Sequence, residues 1–485
     1  MSIEQQRGPA TGPSGSPPSA VVGTTPPVFA VIDPASLEVV AHVADQGADD
    51  ARAAADAACS AFRSWSRTAP RRRSEILHRA YELMIRDRDS LAALISRENG
   101  KSLSDAAGEV TYAAEFFRWF AEEAVRPGGD FGESPAGGTR TLVTHRPVGV
   151  AALVTPWNFP AAMITRKIGP ALAAGCTAVV KPAAETPLTA LAVARLLTEA
   201  GLPDGVITVV TTTDSSGVVG AWLDDERIRK ISFTGSTAVG RLLLRHAADR
   251  VVNASMELGG NAPFIVADDA DLDAAVAGAM IAKFRNGGQA CTAANRFYVH
   301  SAVAAAFVER FGAAVEQLTV GPAAGGAAIG PLISEAALRR VTRTVEEAVA
   351  AGARISHRAA DADAPGHFYP PTVLVDVPAG AAILQEEIFG PVAAITTWDT
   401  EEELLELVND SEYGLAAYVF SGELGRALRL GEAIEAGMVG INRGLVSDPS
   451  APFGGVKQSG LGREGARDGL REFQETRYLS VDWPA

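Results

Sequence analysis

Between Val148 and Val266 the chain repeats one pattern: short apolar β-type runs at Val148–Val154, Thr177–Val180, Val206–Val210 and Ile228–Phe233, separated by Ala/Leu-rich stretches of helical character. Near-continuous apolar strands with helical crossovers form a parallel sheet covered on both faces, and such sheets bind ligands beyond the carboxyl ends of their strands. From Leu272 to about Arg443 the alternation restarts, with strand-like runs at Phe297–Val299, Thr372–Val375, Val392–Thr396 and Ala417–Phe420. A second α/β domain is therefore expected, and 485 residues are enough for two or three domains.

Ahead of the first sheet, residues 48–65, 71–98 and 104–124 read as three helices, and the run Arg71-Arg72-Arg73 reads as a solvated helix face. Residues 1–27, rich in Gly, Pro, Ser and Thr, are expected to be a disordered tail. The stretch Glu475–Val481 suits an additional strand.

The formal charge of −15 opposes binding to nucleic acid or an anionic membrane. No apolar run has membrane-spanning length and no signal-peptide pattern opens the chain, so a cytoplasmic protein is expected. The three cysteines, Cys59, Cys176 and Cys291, provide neither a disulfide framework nor zinc-type spacing, and no metal is expected.

The loops that follow the strands hold the candidate chemistry. Pro156-Trp157-Asn158-Phe159-Pro160 stiffens a loop around one amide, which suits either an oxyanion donor or a turn-forming asparagine. Lys181 ends a strand, where it would meet a ribose or phosphate or simply face solvent. Gly235-Ser236 opens a helix after a strand, the context in which backbone N–H groups hold a pyrophosphate, although the full GxGxxG pattern is missing. Glu257 sits in an apolar, glycine-rich segment where burial would raise its pKa toward that of a useful base. Leu272, Val276, Met280 and Phe284 share one helix face, Gly287-Gly288 stops that helix, and Cys291 follows on a short loop before the next strand. Taken alone, a single cysteine after a turn reads as a buried small hydrophobe sooner than as a nucleophile.

Together the motifs PWNFP, FTGSTAVG, MELGGNAP, GQAC, EEIFGP and APFGGVKQSGLGREG resemble the aldehyde dehydrogenase superfamily in order and spacing, over about residues 28–482. MITRKIGPALAAGC, KFRN and INRGLVS are most similar to its succinate-semialdehyde dehydrogenase group, with glutarate-semialdehyde enzymes close by. The resemblance implies an α/β protein of aldehyde dehydrogenase-like fold. Its parts would be a Rossmann-like cofactor domain (28–127 and 147–256), a catalytic domain (257–465) and a small β oligomerisation arm (128–146 and 475–485) that pairs subunits into a homodimer or homotetramer. It further implies Cys291 as nucleophile, Glu257 as general base and Asn158 as oxyanion donor. Trp157, Lys181, Ala184, Gly235, Ser236, Glu387 and Phe389 would be cofactor contacts, and Arg166, Arg285 and Ser447 would bind the distal carboxylate of a semialdehyde.

Three departures from the group's pattern carry consequences. Ala293 stands where a second cysteine would allow a disulfide switch, so none is expected. Ala184 stands where NAD-preferring members carry a glutamate, with Glu185 displaced by one; use of both NAD and NADP is expected, with the balance toward NADP. Arg443, just before the Gly444–Ser447 loop, is expected to extend tolerance to a longer or more acidic aldehyde. Competing readings are a broad-specificity aldehyde dehydrogenase, a catalytically silent structural protein on this fold, and a cofactor-free cysteine hydrolase.

Overall fold

The computed structural model describes residues 27–126 and 128–483, so the expected N-terminal tail lies, but for Pro27, outside the described residues. Six strands form the first sheet, in the order Gly460–Leu461, Asn253–Glu257, Ile228–Thr234, Val150–Val154, Thr177–Lys181, Ile207–Val209. All neighbours are parallel except Gly460–Leu461, which runs antiparallel to Asn253–Glu257. The chain leaves Val150–Val154 to build one side of the sheet and then returns to its other flank, so the strand order reverses at Val154. Ligands of open α/β sheets bind at such a reversal. In register, Val154 lies beside Lys181 and Phe233, and Thr234 beside Glu257, so the four loops singled out from the sequence leave the sheet on one edge.

A second sheet has the order Arg354–Arg358, Thr372–Val375, Val392–Trp398, Ala294–His300, Ala262–Val266, Ala416–Phe420, Met438–Ile441, and only Arg354–Arg358 runs antiparallel to its neighbour. The turn Leu258–Asn261 carries the chain from the carboxyl end of Asn253–Glu257 to the amino end of Ala262–Val266, which pairs Ala262 with Ala294. Glu257 therefore ends the first sheet close to where the Cys291 loop enters the second. The turn depends on absent side chains: a Cβ on Gly260 would lie 2.2 Å from the carbonyl oxygen of Cys291.

A third, three-stranded sheet joins Gln474–Asp482, Thr139–Pro147 and Asp130–Glu133, with nine consecutive pairs between the first two. The expected C-terminal strand is present within it. A hairpin of Val28–Ile32 and Val39–Ala44, together with Arg354–Arg358 and Met438–Ile441, adds strands that the sequence patterns did not reveal.

Helical expectations need two corrections. The stretch 71–98 is two helices, Pro70–Arg86 and Arg88–Asn99, hinged at Asp87. Asp87 departs from helical geometry at φ −96° and ψ 15°; its carboxylate takes the Arg86 guanidinium at 2.7 and 2.8 Å, and its carbonyl opens the second helix by accepting Leu91 N–H and Ser90 O–H. Arg73 is buried rather than solvated. Its guanidinium donates to the carbonyls of Ala173 (3.1 Å) and Thr68 (2.6 Å), leaving only Arg71 and Arg72 at the surface. Helix Leu272–Phe284 turns the expected face to the second core, with Phe284 buried in it and half-buried Leu272, Val276 and Met280 packed against it, beside buried Ala275, Gly278, Ala279 and Ala282. A Cβ on Gly278 would meet the Phe420 ring at 2.3 Å, so the small residues mark the face that can approach the sheet.

Helix Pro160–Ala174 is buried along its whole length, Arg166 and Lys167 included. Proline at its first position and left-handed Gly175 beyond its end set its limits. Because it follows the Asn158 loop directly, it carries two cations from that loop into the interior, where each needs a partner.

Candidate active site

Two cavities meet at Cys291. The larger is a cleft of about 390 Å³ at the carboxyl edge of the first sheet. Trp157, Asn158, Gly235, Ser236, Glu387 and Phe389 all line it, from loops far apart in sequence. Ser236 caps helix Thr237–Ala248 by accepting Val239 N–H, so that helix's amino end opens on the cleft and favours negative charge there. Trp157 and Phe389 meet edge to face at 5.4 Å. Glu387 accepts Gly260 N–H at 3.2 Å, and burial pushes its pKa up to about 7.

Neither Lys181 nor Ala184 lines this cleft, whereas Glu185 does. Lys181 is buried and donates to the carbonyl of Pro182 at 2.8 Å. Burial lowers its pKa to about 8, against the opposing pull of Glu185. Arg340, on helix Glu335–Ala350, also reaches the cleft; nothing in its sequence neighbourhood had singled it out.

Behind Cys291 lies a narrow cavity of about 20 Å³ that brings together Arg166, Arg285 and Ser447, as the sequence motifs implied. Arg166 is fully buried, 4.2 Å above the Phe453 ring. It donates to the Tyr112 hydroxyl at 2.6 Å and faces Glu464 at 3.4 Å. Arg285 is half-buried, 5.0 Å over the Phe159 ring. Arg443 is not here. It is exposed and lines a separate groove beside Met438–Ile441, so the expected extension of substrate range through Arg443 is not supported by its position.

Glu257 is 2% exposed, and among the described residues neither of its carboxyl oxygens has a hydrogen-bond partner. Burial holds its pKa well above the ordinary carboxylate range, and the charge of Glu464 adds to that; Lys167 and Arg166 oppose it. Lys167 donates to Glu464 at 2.6 Å and to the Ser232 hydroxyl at 2.8 Å. Lys167, Glu464 and Tyr112 are site residues that sequence reasoning missed, although the first two lie inside quoted motifs.

Burial, then Glu387, pushes the Cys291 thiol up to about 12, with Arg166 and Arg285 opposing. The side-chain amide of Asn158 donates to the Gln289 carbonyl at 3.3 Å, two residues before Cys291. Cys59 and Cys176 are also free thiols, and Cys176 is buried against the Phe473 carbonyl. Ala293 leaves the Cys291 loop without a second thiol.

Residues 21–479 match the profile of the aldehyde dehydrogenase family. The chain is 53% identical to the succinate-semialdehyde dehydrogenase of Paenarthrobacter nicotinovorans, over 92% of this chain and 99% of that one. It is 48% identical to the NADP(+) succinate-semialdehyde dehydrogenase of Escherichia coli strain K12, over 93% and 94%. The crystal structure of succinate-semialdehyde dehydrogenase from Burkholderia pseudomallei superposes with a TM-score of 0.92 at 48% identity, over 94% of this chain and 95% of that one.

Proposed function

The chain belongs to the aldehyde dehydrogenase family, and we propose that it oxidises succinate semialdehyde, or the homologous glutarate semialdehyde, to the dicarboxylate with NAD or NADP. The observation that carries this reading is the placement of Arg166, Arg285 and Ser447 around one narrow cavity that ends at Cys291. Two guanidiniums and a hydroxyl suit a planar carboxylate, whereas an alkyl or aryl group there would leave Arg285 without a carboxylate partner and Arg166 with Glu464 alone.

Cys291 Sγ attacks the aldehyde carbon to give a thiohemiacetal, and its proton leaves for solvent or a neighbouring base. The Asn158 amide and the Cys291 backbone N–H stabilise the developing oxyanion, a donor being worth about 3 to 4 kcal/mol in such a role. The nicotinamide ring, when bound, is the hydride acceptor, and its positive charge favours the thiolate over the thiol. Loss of hydride would turn the adduct into a thioester. Glu257 then takes a proton from water as that water attacks the acyl carbon, the C–S bond breaks, and Cys291 leaves as thiolate while the acid is released. The raised pKa makes Glu257 a stronger base than an ordinary carboxylate. The cleft residues fit the cofactor: Gly235, Ser236 and the helix amino end suit a pyrophosphate, while Glu387, Trp157 and Phe389 suit the nicotinamide ribose and ring. We assign NAD and NADP as both usable, with the NADP balance reduced by Glu185, which faces the cleft.

The three-stranded sheet, with Phe131, Tyr478 and Trp483 exposed on it, supports pairing with a second copy, as a homodimer or a dimer of dimers. No described helix is long and apolar enough to cross a membrane, and a cytoplasmic location is consistent with that. A panel of aldehydes assayed with both cofactors tests the whole reading. The semialdehydes are expected to have the highest kcat/KM, and a preference for butanal or an aromatic aldehyde would leave only the broad-specificity reading.

A further inference from the structure

The corner between helices Arg88–Asn99 and Leu103–Ala124 contains a buried ion pair. Lys101 Nζ and Glu109 Oε2 are 2.5 Å apart, and both side chains are fully buried. Removing two charges from water is costly, so their remaining polar contacts matter. The Lys101 ammonium donates a second hydrogen bond to the main-chain carbonyl of Asn158 at 2.7 Å, and it lies 4.1 Å from the centre of the Phe159 ring. Carboxylate, carbonyl and aromatic face together satisfy its three protons. On the other partner, Glu109 Oε1 accepts the N–H groups of Ala161 (2.8 Å) and Ala162 (3.3 Å), the open amino end of helix Pro160–Ala174.

The same corner grips the loops on either side of Asn158. Asn99 donates to the Trp157 carbonyl at 3.0 Å. Asp105 accepts Asn286 N–H at 2.9 Å, and Asn286 in turn donates to the Asn158 carbonyl at 2.8 Å. The peptide carbonyl of Asn158 is thus held from two directions, once by Lys101 and once from the nucleophile loop. Rotation of that peptide would swing the Asn158 amide away from Cys291.

We propose that the Lys101–Glu109 pair is a positioning device for the oxyanion amide, fixing the Asn158 peptide through Lys101 while Glu109 anchors the helix that follows it. Lys101 reaches no reacting atom and acts through Asn158, so the proposal rests on the oxyanion role assigned to that residue. Misplacement of about 1 Å in such a group lowers rates by up to about a hundredfold.

Lys101→Met alone would strand the Glu109 charge, so the informative variant is Lys101→Met/Glu109→Gln, which removes both charges and keeps an oxygen for Ala161 and Ala162. The measurement is single-turnover formation of reduced cofactor at saturating succinate semialdehyde, with cofactor Kd and Tm recorded alongside. The pair variant is expected to be about ten- to a hundredfold slower, with cofactor Kd within about twofold of the parent. Added to Asn158→Ala, it should cause little further loss, because the group it positions is already gone. A rate within about twofold of the parent, losses that multiply in the combined variant, or cofactor affinity falling in step with the rate would each overturn the proposal. An Asn158→Ala enzyme working at the parent rate would overturn the oxyanion role itself, so that failure is read separately.

Discussion

The two cavities that share Cys291 are built differently. The cofactor cleft, about 390 Å³, is walled largely by loops with small or apolar residues, among them Pro156, Gly235, Leu258 and Gly259. The cavity behind it, about 20 Å³, is walled by the rings of Tyr112, Phe159 and Phe453, the guanidiniums of Arg166 and Arg285, and the hydroxyl-bearing Thr292 and Ser447, among others. Shape and backbone dipoles hold a large ligand with modest selectivity among close analogues. Charge in a narrow cavity discriminates more strongly, because a wrong ligand leaves Arg285 without a carboxylate partner and Arg166 with only Glu464. One side is therefore expected to tolerate exchange of NAD for NADP while the other rejects an uncharged aldehyde.

The harshest test removes the residue the two sides share. Cys291→Ala is expected to lower oxidation by roughly a thousandfold or more while cofactor titration still gives binding, which separates the cleft from the chemistry. Normal turnover would mean that the cavities do not meet at the nucleophile.

Next in size is Glu257→Gln, expected to retain a first burst of reduced cofactor and then to slow at steady state by about a hundredfold, since only thioester hydrolysis needs the base. Because burial raises the pKa of Glu257, the parent's deacylation rate should climb with pH through a range above that of ordinary carboxylates, as the proton is lost. Rapid-quench measurements across pH would show that limb vanish in the variant; equal loss of burst and steady state would assign Glu257 elsewhere.

Breaking the narrow cavity alone should affect only charged substrates. Arg285→Ala is expected to cut kcat/KM for succinate semialdehyde by about ten- to a hundredfold and to change butanal little. Arg166→Ala should do the same with an added stability loss visible in Tm, because Glu464 then keeps only Lys167 as a close cationic partner. Equal loss on both aldehydes would remove the contrast between the cavities.

The smallest effect belongs to the cleft. Glu185→Gln is expected to raise the NADP-to-NAD ratio of kcat/KM by about three- to tenfold, since it removes a partly solvated negative charge near the site of a 2′-phosphate. An unchanged ratio would show that Glu185 faces the cleft without governing cofactor choice.

Much of this architecture was legible because it is local. Apolar runs of strand length alternate with helical stretches whatever the rest of the chain does, and the loops after those strands fall on one edge because parallel strands share a direction. Asn158, Gly235, Ser236, Glu257 and Cys291 could therefore be located, and the motifs named their partners at Arg166, Arg285 and Ser447. Helix boundaries were less secure: a single aspartate, Asp87, divides what periodicity reads as one helix.

Tertiary structure alone decided which charges are inside. In the sequence Arg73, Glu109 and Lys167 look like the polar faces of ordinary helices and Lys101 like a loop lysine between two of them, and a local pattern treats a charged residue as solvated. Their burial depends on partners from distant segments: the Ala173 carbonyl for Arg73, the Asn158 carbonyl for Lys101, the first turn of Pro160–Ala174 for Glu109, and Glu464 for Lys167. The same holds for Arg443, which adjoins the substrate loop in sequence yet lines another groove. The sequence by itself determined the parallel sheets, their loops and the reactive side chains, because periodicity and turn chemistry act over a few residues. Which charges face the chemistry, and which merely adjoin it along the chain, followed from topology, since a buried charge is tolerated only where folding brings it a counter-charge or a hydrogen-bond acceptor.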